Sequence, residues 1–191
     1  MKIGLFFGSF NPVHIGHMAI ANYFTEFTDL EQVWFIVSPH NPMKLQDILL
    51  QDYHRLKLVQ LAIGDYRKMK AVDAEFKLSK PSYTINTLLH LKEKYQEHHF
   101  VLLLGADNLE TFHQWKSYEQ ILEQVEIYVY PRPEKYGSDL LTHPKVKMLD
   151  APRMEISSTA IREAIKNKKD VRFMFPEAVF NYIEEMHFYE K

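Results

Sequence analysis

Apolar positions along the chain come in short blocks, and the blocks switch between continuous runs and helical spacing. Lys2 to Phe7 (KIGLFF) is a short apolar run stopped by Gly8, and it reads as a strand buried on both faces. Helical spacing follows from about Gly16 to Phe27. Gln32 to Val37 (QVWFIV) is β-branched and aromatic and is stopped by Ser38-Pro39, so it predicts a second strand. Asp52 is placed to cap a helix running to Ile63, with Gly64 at its C-terminal cap. Met69 to Val72 is a weaker strand. Ser79-Lys80-Pro81 breaks the chain, and Tyr83 to Tyr95 then carries Ile85, Leu88, Leu89 and Leu91 at helical spacing.

Phe100 to Leu104 (FVLLL) is the clearest buried strand and ends at Gly105. Helical segments follow through Phe112 and over Tyr118 to Leu122. Glu126 to Tyr130 predicts another strand, Val146 to Leu149 a last short one, and Ser157 to Lys166 and Pro176 to Met186 two helices. Arg132 to His143 reads as a mobile loop. The repeated order of strand then helix predicts an α/β chain with a mostly parallel sheet flanked by helices, and a small C-terminal helical part. No repeat, low-complexity tract or Gly/Ser linker interrupts it, so residues 1–191 are expected to form a single domain.

Composition narrows the partners. The 191 residues are 46% apolar, enough for a substantial core. Lys plus Arg number 23 against 25 Asp plus Glu, a formal charge of −2, which argues against broad nucleic-acid binding. Cysteine is absent, which removes disulfides, thiolate metal sites and thiol catalysis together. The apolar run near the start is too short for a signal-peptide core, and no run approaches the ~20 apolar residues of a membrane span. A cytoplasmic protein with no membrane partner is expected. The ten His residues are scattered without the zincin pattern, so no dedicated protein metal site is expected.

The chemistry concentrates in two places. Strand one runs into Gly8-Ser9-Phe10-Asn11-Pro12-Val13-His14-Ile15-Gly16-His17, a loop leaving a strand's carboxyl end and entering a helix. In open parallel sheets ligands sit outside those ends, and the helix N-terminus favours phosphate. Gly8 and Gly16 are expected to let backbone approach a ligand closely. His14 and His17, three residues apart, can aim both imidazoles at one phosphate under attack. An isolated H-x-x-H is more often a capped turn, and here the surrounding decamer tips the balance. No G-K-[ST] follows, which excludes a Walker A loop, and the dinucleotide fingerprint G-x-G-x-x-G is missing. Near the other end of the chain, Ile156-Ser157-Ser158-Thr159-Ala160-Ile161-Arg162 opens a helix with three hydroxyls. Arg162 follows one turn later, suited to a forked contact with phosphate.

The decamer resembles the signature of the H-x-G-H nucleotidyltransferases, and the second segment resembles their I-S-S-T-x-I-R. Pro81-Ser82-Tyr83-Thr84-Ile85-Asn86-Thr87-Leu88 and Gly105 through Lys116, with Phe112 and Trp115, resemble the S-Y-T-x-x-T-L and G-x-D-x-x-x-x-F-x-x-W blocks of bacterial nicotinate-nucleotide adenylyltransferases. Ser38 to Lys44 occupies the place of their second phosphate-contacting loop. Asn11 stands where the family more often has Asp, Val13 where it has Pro, and Met43 where it has His. Tyr136-Gly137 follows Arg132-Pro133 at a longer distance than in the family's compact R-P-G-Y.

The resemblance implies a Rossmann-like nucleotidyltransferase fold. It also implies transfer of the adenylyl group of ATP to nicotinate mononucleotide, giving deamido-NAD and pyrophosphate, with Mg²⁺ entering on ATP. By the same resemblance His14 and His17 are catalytic. Gly8, Ser9, Phe10, Lys44, Gly105, Asp107, Ile156, Ser157, Ser158, Thr159 and Arg162 bind ATP, with Asp107 at a ribose hydroxyl. Asn11, Ser82, Tyr83, Thr84, Trp115 and Arg132 bind the nicotinate nucleotide, with Trp115 on the pyridine ring. The last helix is expected to be a packing element only. The alternatives are a phosphopantetheine or nicotinamide-mononucleotide adenylyltransferase, or a nucleotide-binding regulator without turnover. Monomer and homodimer both remain open.

Overall fold

The computed structural model describes residues 1–39, 49–134 and 137–191. Six strands form one sheet in the order β3-β2-β1-β4-β5-β6: β1 (Lys2–Gly8), β2 (Gln32–Val37), β3 (Met69–Val72), β4 (His99–Gly105), β5 (Glu126–Tyr130) and β6 (Val146–Met148). Every pairing is parallel, with Leu5 opposite Trp34 on one side and Leu102 on the other. The helices are α1 (Ile15–Phe27), α2 (Asp52–Ile63), α3 (Thr84–Lys94), α4 (Ala106–Glu110), α5 (Tyr118–Gln124), α6 (Ser158–Lys166) and α7 (Glu177–Glu185).

Alternation along the strands sends side chains into two cores, one on each face. Val33, Phe35 and Val37 of β2 join Phe6, Val101, Leu103, Tyr128 and Tyr130 on the face covered by α1, α2, α6 and α7. Trp34 and Ile36 join Ile3, Leu5, Phe100, Leu102, Leu104, Ile127 and Val129 on the face covered by α3, α4 and α5. Both faces are therefore apolar, which is why the strands read as continuous runs. Gly4 keeps the sheet centre close-packed: a Cβ there would meet Leu30 and Leu103 side-chain carbons at 2.8 and 2.9 Å.

Differences from the sequence reading lie at ends and in short turns. Gln51, not Asp52, is the N-cap of α2. Asp52 is the first helical residue, and its carboxylate accepts from Arg55 Nη2 at 2.6 Å, so it is drawn inward rather than back to the helix amides. Gly64 does end α2, with φ of 59°. The segment from Arg132 to His143, expected to be a mobile loop, contains a 3₁₀ turn over Asp139–Thr142. The Ser138 hydroxyl starts it by accepting the Leu140 amide at 3.3 Å. Two further 3₁₀ turns, Ala74–Lys77 and Arg172–Met174, are too short to leave a periodic signature. The sheet is wholly parallel among the described residues rather than mostly so. No helix among those residues is long and apolar enough to cross a membrane.

Candidate active site

Strand order reverses between β1 and β4. The chain leaves β1 toward β2 on one side and leaves β4 toward β5 on the other, which opens a crevice at the carboxyl edge of the sheet. Helices return antiparallel to strands, so the N-termini of α1, α3 and α6 all lie at this edge. A cavity of about 340 Å³ occupies the crevice. Its walls come from Gly8 and Ser9 after β1, Gly105 at the end of β4, Ser82, Tyr83 and Thr84 at the start of α3, and Trp115. Such a volume suits a small planar ligand with its sugar.

Beside the cavity lies the start of α1. His14 is the N-cap and is buried. Its amide donates to His17 Nδ1 at 3.3 Å, half of a capping box with His in place of the usual Glu or Gln. With Nδ1 accepting, the neutral His17 ring carries its proton on Nε2 and presents it as a donor. The two imidazoles lie face to face at a tilt of 33°, with centroids 3.8 Å apart. Burial, with the charge of Arg132 adding to it, pushes His14 down to about 4, so it is neutral near pH 7. The first intrahelical bond runs from His17 N to His14 O, and the amides of Ile15 and Gly16 precede it.

The motif glycines also have a packing job, beside the close ligand approach expected of them. A Cβ on Gly8 would strike the Phe10 ring at 2.8 Å, and one on Gly16 would meet the His14 ring at 3.1 Å. Both make room for the chain's own aromatic rings. Phe10 itself is buried, packed edge-on to Phe6 and His17, so only its backbone faces outward. Gly105 is the third case: a Cβ would collide with Asp107 Oδ1 and lie 3.0 Å from Arg132 Nε. Its absence lets Arg132 donate to Asp107 at 3.1 Å over the end of β4.

The distant hydroxyl-rich segment packs directly on this loop. Ser157 is the N-cap of α6 and its hydroxyl accepts from Ala160 N at 3.1 Å. Ser158 Oγ donates to Pro12 O at 2.9 Å, and Arg162 Nη1 donates to Asn11 O at 2.8 Å. Arg162 Nη2 reaches Thr159 Oγ1 at 3.3 Å, while its buried Nε has no hydrogen-bond partner among the described residues. The two motifs, at opposite ends of the sequence, are thereby one structural unit. Ile156 packs on the core and aims the segment. Asn11 is buried, and its Oδ1 already accepts from Leu50 N at 3.2 Å and Tyr189 OH at 2.8 Å. Lys44, with the rest of the loop from residue 40 to 48, and Tyr136 lie outside the described residues.

Three groups escaped the sequence reading. Arg55 is wholly buried. It donates through Nη1 to Ser9 O at 2.6 Å and Ser38 O at 2.7 Å, through Nη2 to Pro39 O at 3.2 Å and through Nε to Leu50 O at 2.9 Å. One guanidinium thus fastens the loop after β1 to the loop after β2. Its surroundings pull its pKa down by burial, and Asp52 offsets this. Nothing in the RLKL pattern of a surface helix marks it beyond a cation on the apolar side. Glu75 is buried in the cavity wall and accepts from Thr87 Oγ1 at 2.7 Å, with the Ser38 and Ser82 side chains also beside its carboxyl group. Burial raises its pKa. Tyr189 follows the last helix and ties the chain's end to Asn11, so the C-terminal part does more than pack. The His54 Nδ1 contact to Tyr182 OH at 2.9 Å holds α7 on α2.

Comparison with known proteins agrees with this geometry. Residues 5–164 match the model of the cytidylyltransferase-like family. The chain is 53% identical over its whole length, and the whole length of the relative, to a Flavobacterium johnsoniae protein named "Probable nicotinate-nucleotide adenylyltransferase". A protein of the same name from Christiangramia forsetii is 49% identical over 99% of this chain and 98% of its own. In fold, the chain is similar to Plasmodium falciparum nicotinic acid mononucleotide adenylyltransferase complexed with NaAD. The TM-score is 0.83 at 19% identity, covering 99% of this chain and 97% of that one. The chain belongs to the cytidylyltransferase-like family and, within it, to the nicotinate-nucleotide adenylyltransferases.

Proposed function

We propose that the chain makes deamido-NAD and pyrophosphate from ATP and nicotinate mononucleotide, and that residues 1–191 act as one catalytic domain. The observation that carries this reading is the joining of the α1 and α6 starts beside the crevice cavity: Ser158 to Pro12 and Arg162 to Asn11. A phosphate-binding surface and a ring-sized cavity then share the loop from Gly8 to Asn11.

A 5′-phosphate oxygen of the acceptor attacks the α-phosphorus of ATP in line. The new P–O bond forms as the bond to the β-phosphate oxygen breaks, and pyrophosphate leaves. The attacking phosphate is already ionised near pH 7, so no general base is needed. The protein aligns the reactants and stabilises charge. His17 Nε2–H and the amides of Ile15 and Gly16 face the α-phosphate. His14, neutral and in tilted ring contact with His17, fixes that ring and donates its own N–H. Ser157, Ser158, Thr159 and Arg162 hold the β- and γ-phosphates, and Gly8, Ser9, the Phe10 backbone and Ile156 shape the nucleotide's bed. Gly105 and the Asp107–Arg132 pair face the sugar edge. Tyr83, Thr84, Ser82 and Trp115 take the pyridine ring and its substituent, and Lys44 adds charge at the triphosphate. Mg²⁺ arrives as part of the MgATP substrate, held by phosphate oxygens and water.

Asn11 borders the nicotinate nucleotide and also holds the loop, since its Oδ1 accepts from Leu50 N and Tyr189 OH. Incubating the protein with MgATP and, separately, nicotinate mononucleotide, nicotinamide mononucleotide or phosphopantetheine, then identifying the product by mass, tests the reading. Deamido-NAD with equimolar pyrophosphate is expected. Product from phosphopantetheine alone, or from none, would refute it.

A further inference from the structure

Nicotinate and nicotinamide mononucleotide have the same shape, and they differ in one charge. Backbone amides at a helix start donate to a carboxamide oxygen as readily as to a carboxylate, so they select only in part. A group that reads the charge itself is needed, and Lys116 has that position. It lines the crevice cavity next to Trp115, and its Nζ lies 4.3 Å from the centroid of the Tyr83 ring. Tyr83 is the N-cap of α3, an 11-residue helix whose first intrahelical bond is Asn86 N to Tyr83 O. The Thr84 and Ile85 amides therefore precede it, and the cap side chain does not cover them.

The Lys116 ammonium lies on the ring of the α3 N-cap residue, in the same cavity wall as Ser82 and Thr84. Among the described residues no carboxylate forms an ion pair with Lys116. The carboxyl group that shares its cavity, Glu75, is buried, is engaged by the Thr87, Ser38 and Ser82 hydroxyls and is shifted upward by burial. The other ionisable walls, Tyr83 and Tyr130, are phenols. The Lys116 ammonium and the start of α3 thus line the same aromatic-walled cavity, and among the described residues no carboxylate holds that ammonium in an ion pair.

Resting on the adenylyl-transfer reading above, we infer that Lys116 is the residue that selects the acid. Its ammonium pairs with the pyridine carboxylate at the start of α3, and the neutral carboxamide forgoes that pairing. Lysine has three donors and no acceptor, so it offers nothing to the carboxamide NH₂. Trp115 and Tyr83 orient the ring, and Lys116 discriminates.

The test is the ratio of kcat/KM for nicotinate mononucleotide to that for nicotinamide mononucleotide, measured with saturating MgATP in wild type, Lys116→Met and Lys116→Arg. Lys116→Met is expected to lower kcat/KM for the acid about tenfold and to leave the amide within about twofold, the scale of one partly exposed charge-assisted contact. Lys116→Arg keeps most of the preference. The wild-type ratio falls with added salt, and the Met variant's ratio does not. An unchanged ratio in Lys116→Met, or equal losses on both substrates, would overturn the assignment while leaving adenylyl transfer intact. Absence of dinucleotide from wild type with either substrate would instead overturn the adenylyl-transfer reading, and this inference with it.

Discussion

The two edges of the sheet carry similar residue types and use them in opposite ways. At the amino edge, Lys2 Nζ lies 2.7 Å from Asp29, 2.6 Å from Glu126 and 2.8 Å from the Tyr128 hydroxyl, which itself donates to Asp29 at 2.7 Å. These partners raise the Lys2 pKa against the cost of its burial, and every group in the cluster is paired. At the carboxyl edge, His14 Nδ1 and Arg162 Nε are buried without a hydrogen-bond partner among the described residues, and Glu75 Oε2 and Ser82 Oγ have at best each other. The fifth such atom, His98 Nδ1, is at the amino edge, with Glu97 3.8 Å away. Buried polar atoms without partners are costly, and natural proteins keep few of them. Their gathering at one edge separates a region built for stability from one that keeps donors and acceptors for a ligand.

The sharpest way to break that division is Arg55, which belongs to the working edge and yet is fully paired. Arg55→Met should cost about 3–5 kcal/mol of unfolding free energy, because the Ser9, Ser38, Pro39 and Leu50 carbonyls and the Asp52 carboxylate lose their donor. Urea titration reads this. A loss below about 1 kcal/mol would mean the two loops hold without it.

His17→Ala should do the reverse, slowing turnover by roughly 100- to 1000-fold, the cost of about 2.7–4 kcal/mol for one lost donor at developing charge. Its effect on stability should be small by comparison. Near-normal kcat would remove His17 from the chemistry.

His14 gives the division a pH signature. Burial, with the charge of Arg132, holds it down to about 4, against about 6.5 for a free imidazole. The unfolded chain therefore binds more protons between those values, and stability is lost as pH falls through that window, by up to about 3 kcal/mol. His14→Asn should lack this increment in denaturant titrations at pH 6.5 and 4. A variant that loses as much stability as wild type would place the titration elsewhere.

The smallest effect belongs to the amino edge. Lys2→Met should cost about 1 kcal/mol of stability, since its cluster is partly exposed, and should leave kcat/KM unchanged. A change in catalysis would show that the two edges are coupled.

Much of this was readable from the chain because parallel strands buried on both faces leave continuous apolar runs. β2, β3 and β5 begin and end where those runs do. The two phosphate motifs were equally legible, since three hydroxyls before a helix and two His at one-turn spacing carry their chemistry locally. What escaped was tertiary. Arg55 looks like any helix cation until its partners, three of them 16 to 46 residues away, are seen in place. Glu75 sits in a 3₁₀ turn too short for a period, and Tyr189 reaches 178 residues back to Asn11. Phe10, expected at ATP, turns inward because Gly8 leaves the space, and the sequence shows the glycine without showing whose ring fills it.

The most direct test is a competition. Wild-type protein is given limiting MgATP and equal concentrations of nicotinate and nicotinamide mononucleotide, and the two dinucleotide products are quantified after ATP is consumed. Their ratio equals the ratio of specificity constants. A large excess of deamido-NAD is the predicted result, and equal amounts, or NAD in excess, would contradict a carboxyl edge built to receive the acid.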